Sequence, residues 1–198
     1  MIDPTKITDF SRSRHELEEF WLFCIIVAGK TASQMALKLE QFLADRLPVE
    51  GPFDYVRRLI AEGRLDAEMR AIKLGKYNLL NKGFPQSVAP DAPALETASA
   101  QELSAIHGVN HKTARFFILH SRQDADVAVI DTHVLKFLRH RGHEGIPSSV
   151  PQNDKYYVIE ELMKTEARKS SLSYAEFDLA VWNHYSSNGH SPLPMMAA

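Results

Sequence analysis

A chain of 198 residues, 44% of them hydrophobic, can bury a sizeable core and suits one compact unit or two small, closely packed subdomains. Its single cysteine, Cys24, excludes an internal disulfide framework, a four-cysteine iron–sulfur cluster and a cysteine-rich zinc site, and fits a reducing, cytoplasmic home. The formal net charge of -2 argues mildly against nucleic-acid binding, yet a local basic side is at hand. Between His107 and His143, Lys112, Arg115, Arg122, Lys136, Arg139 and Arg141 fall among six histidines. The longest apolar run, around Trp21 to Ala28, is far short of the roughly 18 residues of a membrane span, so neither a transmembrane segment nor a secretory signal is expected.

Apolar residues recur three or four positions apart along most of the chain, while strand-like alternation is scarce, which predicts an all-α fold. Helices are expected at about 13–28, 33–47, 52–62, 65–74, 100–106, 112–121, 132–141, 153–168 and 173–185. Ser33 reads as the start signal of the second, and Asp131 as that of the helix at 132–141. Ser99, with Glu102 three residues on, reads as a capping box before 100–106. The segment Phe84 to Ala94 contains three prolines and is expected to be a connecting loop. The tail, Ser191 to Ala198, is expected to fray or to serve locally.

The informative stretch runs from Leu103 to Leu119, where a short helix leads into Gly108-Val109-Asn110 and a second apolar-periodic helix begins near Lys112. This is a helix, hairpin, helix pattern. Gly108 permits a tight turn and a close backbone approach, and Asn110 is one of the few other residues that tolerate a left-handed conformation. Val109 is expected to plug the hairpin and leave its amides facing an anion such as a DNA phosphate. Taken alone, the same pattern is also that of an ordinary helix–turn–helix connection. Further on, the apolar run Val127 to Ile130 ends in Asp131, 19 positions after Lys112, and another helix follows.

Together, Gly108-Val109-x-x-Lys112-Thr113-Ala114 and Ile130-Asp131-Thr132-His133 resemble the signature of the helix-hairpin-helix DNA glycosylases, a superfamily with endonuclease III and 8-oxoguanine glycosylase branches. The matching core covers about 101–141; weaker similarity lies in Trp21 to Phe42, in Gly75-Lys-Tyr-Asn78 and in Phe177 to Trp182. The resemblance implies two interleaved helical subdomains with a DNA-binding cleft between them. One would span about 28–130 with the hairpin at 103–119, the other about 1–27 plus 131–198. It makes Lys112 similar to the lysine nucleophile of bifunctional members and Asp131 to their essential aspartate. His133 corresponds to a histidine near the DNA backbone, and Gly108, Val109, Asn110, His111 and Thr113 to the residues that hold it. Asn110 departs from the second hairpin glycine of many members, and the absent cysteines set the chain apart from the iron–sulfur branch. No cofactor is expected beyond a candidate monovalent cation at the hairpin backbone.

Lys112 can attack a sugar C1′ only as the neutral amine, whereas an ordinary lysine, with a pKa near about 10.4, is protonated at neutral pH. A position at the positive end of a helix dipole and partial burial in a cleft are expected to lower its pKa. Asp131 would stabilise positive charge developing on the sugar, although an aspartate there serves equally well as a plain helix cap. Attack would leave a Schiff base whose β-elimination nicks the strand. Because a stacked base is out of reach, the enzyme would have to extrude it and fill the gap. Gly29 to Gln34, with Lys30 and Gln34 as DNA contacts, and the pair Tyr77 and Asn78 are the candidate wedges. Trp182, Phe177 and Asp178 are the candidate base pocket, with core packing an equal reading for Trp182; Trp21 and Phe20 read as core. His107, His111 and His190 show no metal-ligand spacing, and no metal is expected.

The expected partner is double-stranded DNA containing a damaged or modified base, bound by a monomer without a membrane. By analogy, 8-oxoguanine is the first-choice substrate. A hypermodified or glucosylated cytosine in phage DNA, excised in defence, is an alternative on the same scaffold. A non-enzymatic helix-hairpin-helix module that only grips DNA is the other.

Overall fold

A computed structural model of the chain describes residues 2–186, and among them the secondary structure is ten α-helices with no β-strand. The chain forms two compact units, the first ending at Phe117 and the second starting at Ile118. This partition differs from the one suggested by the sequence, because α1 (Arg14–Val27) belongs to the first unit, where it lies against α2 (Ala32–Phe42) and α3 (Pro52–Ala61). The expectations for the tail and for His190 fall outside the described residues. No helix among the described residues is long and apolar enough to cross a membrane.

α1 opens on a capping box in which the Glu16 carboxylate accepts the Ser13 amide proton at 2.8 Å while the Ser13 hydroxyl receives that of Glu16. From Leu17 to Ile26 every residue of α1 is buried, so this helix is the centre of the first unit and not an amphipathic cover. Trp21 and Phe20 are core, as expected: both pack on Phe117, with ring centroids 5.0 and 5.6 Å away. The Glu18 carboxylate of α1 reaches across to accept the Phe53 amide at 3.1 Å, satisfying an open donor at the start of α3, where Pro52 occupies the first turn.

Two helix boundaries and one whole helix depart from expectation. α2 starts at Ala32 after Thr31, so Ser33 lies inside it, and it stops at Phe42. Arg46 folds back there, its Nε donating to the Leu43 carbonyl at 3.2 Å, and so ends the helix earlier than the apolar spacing suggests. After α4 (Leu65–Ala71), residues Tyr77–Val88 form α5, which takes in the first part of the supposed proline loop. Pro85 sits within α5 and removes one helical hydrogen bond, a loss of about 3 kcal/mol in an isolated helix. Leu80, Phe84 and Val88, four apart and all buried, offset it by burying one face. α5 is tied to α1 as well: the Trp21 indole donates to the Ser87 hydroxyl at 3.0 Å, and that hydroxyl donates to the Gly83 carbonyl at 2.8 Å.

α6 (Ala100–Ser104) carries the expected Ser99–Glu102 capping box, and α7 (His111–Ser121) begins in the first unit and ends in the second. The second unit is built from α8 (Thr132–His140), α9 (Lys155–Arg168) and α10 (Tyr174–Ser186), whose core includes Ile130, Leu135, Phe137, Tyr156, Phe177 and Val181. Glu166, 1% exposed, joins the ends of α8 and α9: its carboxylate accepts from Arg141 Nε at 3.0 Å and His143 Nε2 at 3.1 Å, and from Lys169. Burial pushes its carboxyl up, but the bonds from Lys169, Arg141 and His143 together hold it below the usual glutamate value of 4.5.

Replacing Ser87 by Ala leaves the enclosed Trp21 N–H without an acceptor and is expected to cost about 1–3 kcal/mol, read as a lowered urea midpoint at unchanged m. A carboxyl with a depressed pKa stabilises the fold above its ordinary value and loses that contribution as pH falls through the folded-state value. Glu166→Gln is therefore expected to be less stable than wild type at pH 7. The difference should shrink progressively below pH 4.5 in acid titrations followed by circular dichroism.

Candidate nucleic-acid interface and catalytic residues

The hairpin is shaped by what stands behind it. Gly108 has φ +83°, open to glycine and costly to other residues, and a methyl group on it would lie 2.3 Å from the Leu79 side chain of α5. One turn further along α5, a methyl group on Gly83 would lie 2.5 Å from the His107 carbonyl oxygen. The same helix supplies Gln86, whose side-chain oxygen accepts the His107 amide at 2.6 Å. Val109 is buried as the plug, and its amide closes the turn on the Ile106 carbonyl at 3.0 Å. Among the described residues, the amides of Gly108 and Asn110 donate to no protein acceptor.

Asn110 corrects an expectation. The non-glycine residues with positive φ among those described are Lys73 and Lys76, so Asn110 is not left-handed. It caps α7 instead, its side-chain oxygen accepting the Thr113 amide at 2.9 Å. Asn110 thus fixes the start of the next helix. Lys112 follows in the first turn of α7, and its side chain is exposed, so the partial burial expected for it is not found. Thr113 is buried, and His111 is half-buried with Nδ1 3.5 Å from Arg115 Nη1. Arg115 is itself buried, Arg139 donates to the Pro147 carbonyl and Arg141 is held by Glu166, which thins the basic side expected from the sequence.

In the second unit the apolar run before Asp131 is extended but pairs with no strand. Side chains of α9 hold it: Glu160 accepts the Ala128 amide at 3.0 Å, and the Tyr156 hydroxyl accepts that of Ile130 at 3.1 Å. This sets Asp131 at the head of α8, where Oδ1 accepts the amides of His133 at 2.8 Å and Val134 at 3.0 Å. The expected cap is present. The ring of His133 meets the Trp182 indole edge-on at 6.2 Å, and Trp182 is 47% exposed, so core packing does not account for it. Phe177 is fully enclosed and packs edge-on against Phe137 in the core of the second unit. Asp178 is also buried, with Oδ2 3.5 Å from Nε2 of the fully enclosed His120. Of the three supposed pocket residues, Trp182 alone is exposed.

Compared with proteins of known function, the chain is 25% identical over 187 residues to an 8-oxoguanine DNA glycosylase/AP lyase of Methanocaldococcus jannaschii. The chain is a distant relative of a DNA glycosylase. The alignment covers 89% of this chain and 86% of that enzyme, so the likeness is not confined to the hairpin. No family model matches the chain, and no solved structure matches it.

The candidate wedges lie in the first unit. Lys30, Gln34 and Asn78 are exposed, while Tyr77 is half-buried with the Arg70 guanidinium 4.3 Å above its ring. Sequence reasoning missed Leu79, Gly83 and Gln86, the residues that hold the hairpin, because their partners stand more than twenty positions away and leave no local spacing. Among the described residues, no group of three or more His, Cys, Asp or Glu side chains is placed to hold a metal ion.

The cap and any chemistry at Asp131 can be separated. Asp131→Ala removes the acceptor for two amides and is expected to lose about 1 kcal/mol of stability, whereas Asp131→Asn, which still caps, should stay within a few tenths of a kcal/mol of wild type in denaturant titrations.

Proposed function

We propose that the protein is a DNA glycosylase that extrudes and excises a damaged base, with 8-oxoguanine the first substrate, and nicks the strand through a Schiff base on Lys112. The observation that carries the reading is the hairpin: two amides without protein acceptors and, directly behind them, an exposed lysine in the first turn of α7. The relative adds the choice of base, since it is named for 8-oxoguanine and for lyase activity.

In this reading the hairpin amides take a backbone phosphate, aided by the positive end of α7. DNA lying over Lys112 excludes water from it and favours the neutral amine, supplying the desolvation that the free protein does not provide. Lys112 Nζ bonds to C1′ as the bond from C1′ to the base nitrogen breaks, and the base leaves with a proton. The Asp131 carboxylate stabilises the positive charge developing on the sugar. Loss of the ring oxygen from C1′ gives the Schiff base, and removal of a C2′ proton expels the 3′-phosphate. Trp182 offers a face on which the extruded base stacks, steadied at its edge by His133.

Wild-type protein mixed with a duplex containing 8-oxoguanine and then borohydride is expected to give a covalent adduct that Lys112→Gln does not. Asp131→Asn should fold yet lose excision by a factor of about a hundred or more, the scale of removing an electrostatic stabiliser. No adduct with wild type, or an adduct with Lys112→Gln, would remove Lys112 from the mechanism.

A further inference from the structure

Five arginines of the first unit are paired with carboxylates. Arg14 faces Glu18 and Glu96, Arg57 faces Asp54, Arg58 faces Glu50, Arg64 faces Glu62 and Glu68, and Arg70 faces Asp66. Four lysines of the same unit are arranged differently. Lys76 Nζ donates to the Ala28 carbonyl, two residues before Lys30, and Lys38 Nζ donates to the Lys73 carbonyl, three residues before Lys76. These bonds tie the turn after α1 and the middle of α2 to the loop between α4 and α5. Among the described residues, no carboxylate stands within ion-pair distance of any of the four.

Such a gathering is costly for the free protein. Like charges repel, and burial followed by the charge on Lys30 lowers the pKa of Lys76. Lys73 and Lys76 also have φ of 54° and 51°, left-handed conformations that cost a side-chain-bearing residue roughly 1–2 kcal/mol each. Strain and unbalanced charge at one place are what a binding site retains and a purely structural loop loses. The location narrows the ligand. Lys76 caps α5, and three residues on, Leu79 is the side chain against Gly108. Lys76 therefore stands about one helical turn along α5 from the residue that packs on the hairpin, where two amides are open. A polyanion with regularly spaced charges fits that sequence of donors.

We infer that Lys30, Lys38, Lys73 and Lys76 form a second phosphate-binding site that continues the hairpin surface and grips the backbone of duplex DNA irrespective of sequence or lesion. This rests on the reading that the chain works on DNA, though not on its excising a base. Lys38 and Lys76 are already held in place by carbonyls, each keeping further ammonium protons to donate, so little side-chain freedom is lost on binding.

The test is the affinity of the full-length protein for an undamaged 20-base-pair duplex across a potassium chloride series, which does not depend on catalysis. Wild type is compared with the triple variant Lys30→Gln, Lys38→Gln, Lys73→Gln, which keeps the left-handed Lys76. Lys155→Gln, an exposed charge of the second unit, is the control. The triple variant should bind about tenfold or more weakly at 0.1 M salt, and its slope of log affinity against log salt should be shallower by about 2–3, roughly 0.9 for each lost phosphate contact. Lys155→Gln should leave the slope unchanged, and circular dichroism should show the triple variant folded. An unaltered slope in a folded triple variant overturns the proposal, as does wild-type protein that binds phosphatidylserine vesicles but not duplex. Failure to excise any base, with the slope change intact, would defeat the glycosylase reading and leave this site standing.

Discussion

The contact between α5 and the hairpin is closer than side chains allow, and much of the first unit is arranged around it. Gly83 lets the His107 carbonyl in, Gly108 lets Leu79 in, and Gln86 ties off the one amide that this approach would otherwise strand. α5 is in turn held to the most enclosed helix, α1, by the Trp21–Ser87–Gly83 relay. The stiffness of the hairpin comes from a helix laid directly behind the turn. The hairpin is thus fixed by residues of another helix.

What the sequence disclosed and what it hid follow from the range of the interactions. Caps, hairpin glycine and helix starts depend on residues three or four apart, and Ser99, Gly108 and Asp131 could be read directly. α5 was obscured because prolines outweigh apolar spacing in any local reading, while the burial of Leu80, Phe84 and Val88 that sustains the helix is tertiary. Asn110 was placed correctly in the hairpin but given the wrong conformation, since asparagine serves as readily as a cap as it does in a left-handed turn. Phe177 and Trp182 stand five apart on α10, on opposite sides of the boundary between core and surface, and composition alone could not say which of the two aromatics faced outward. The lysines were visible one by one, but their convergence depends on three separate segments meeting.

The second unit reaches its candidate residues by a different route. An extended apolar run usually joins a sheet, whose ladder would satisfy its amides. Here a tyrosine hydroxyl and a glutamate from α9 take over that task, and the run can therefore end directly in a helix cap without any strand partner. Asp131 is fixed from both sides, by the anchored run before it and by the two α8 amides it accepts.

The unpaired lysines give dissolved salt two opposing effects on one protein. In the free chain, counterions screen the repulsion between Lys30 and Lys76 and relax a local penalty that the paired arginines elsewhere in the unit do not carry. In a complex with a polyanion the same counterions compete for the same groups. Ionic strength that makes this corner of the fold more comfortable is the ionic strength that empties it. On the proposed reading, bound DNA would relieve that local penalty, and the local stability of the loop between α4 and α5 would gauge occupancy.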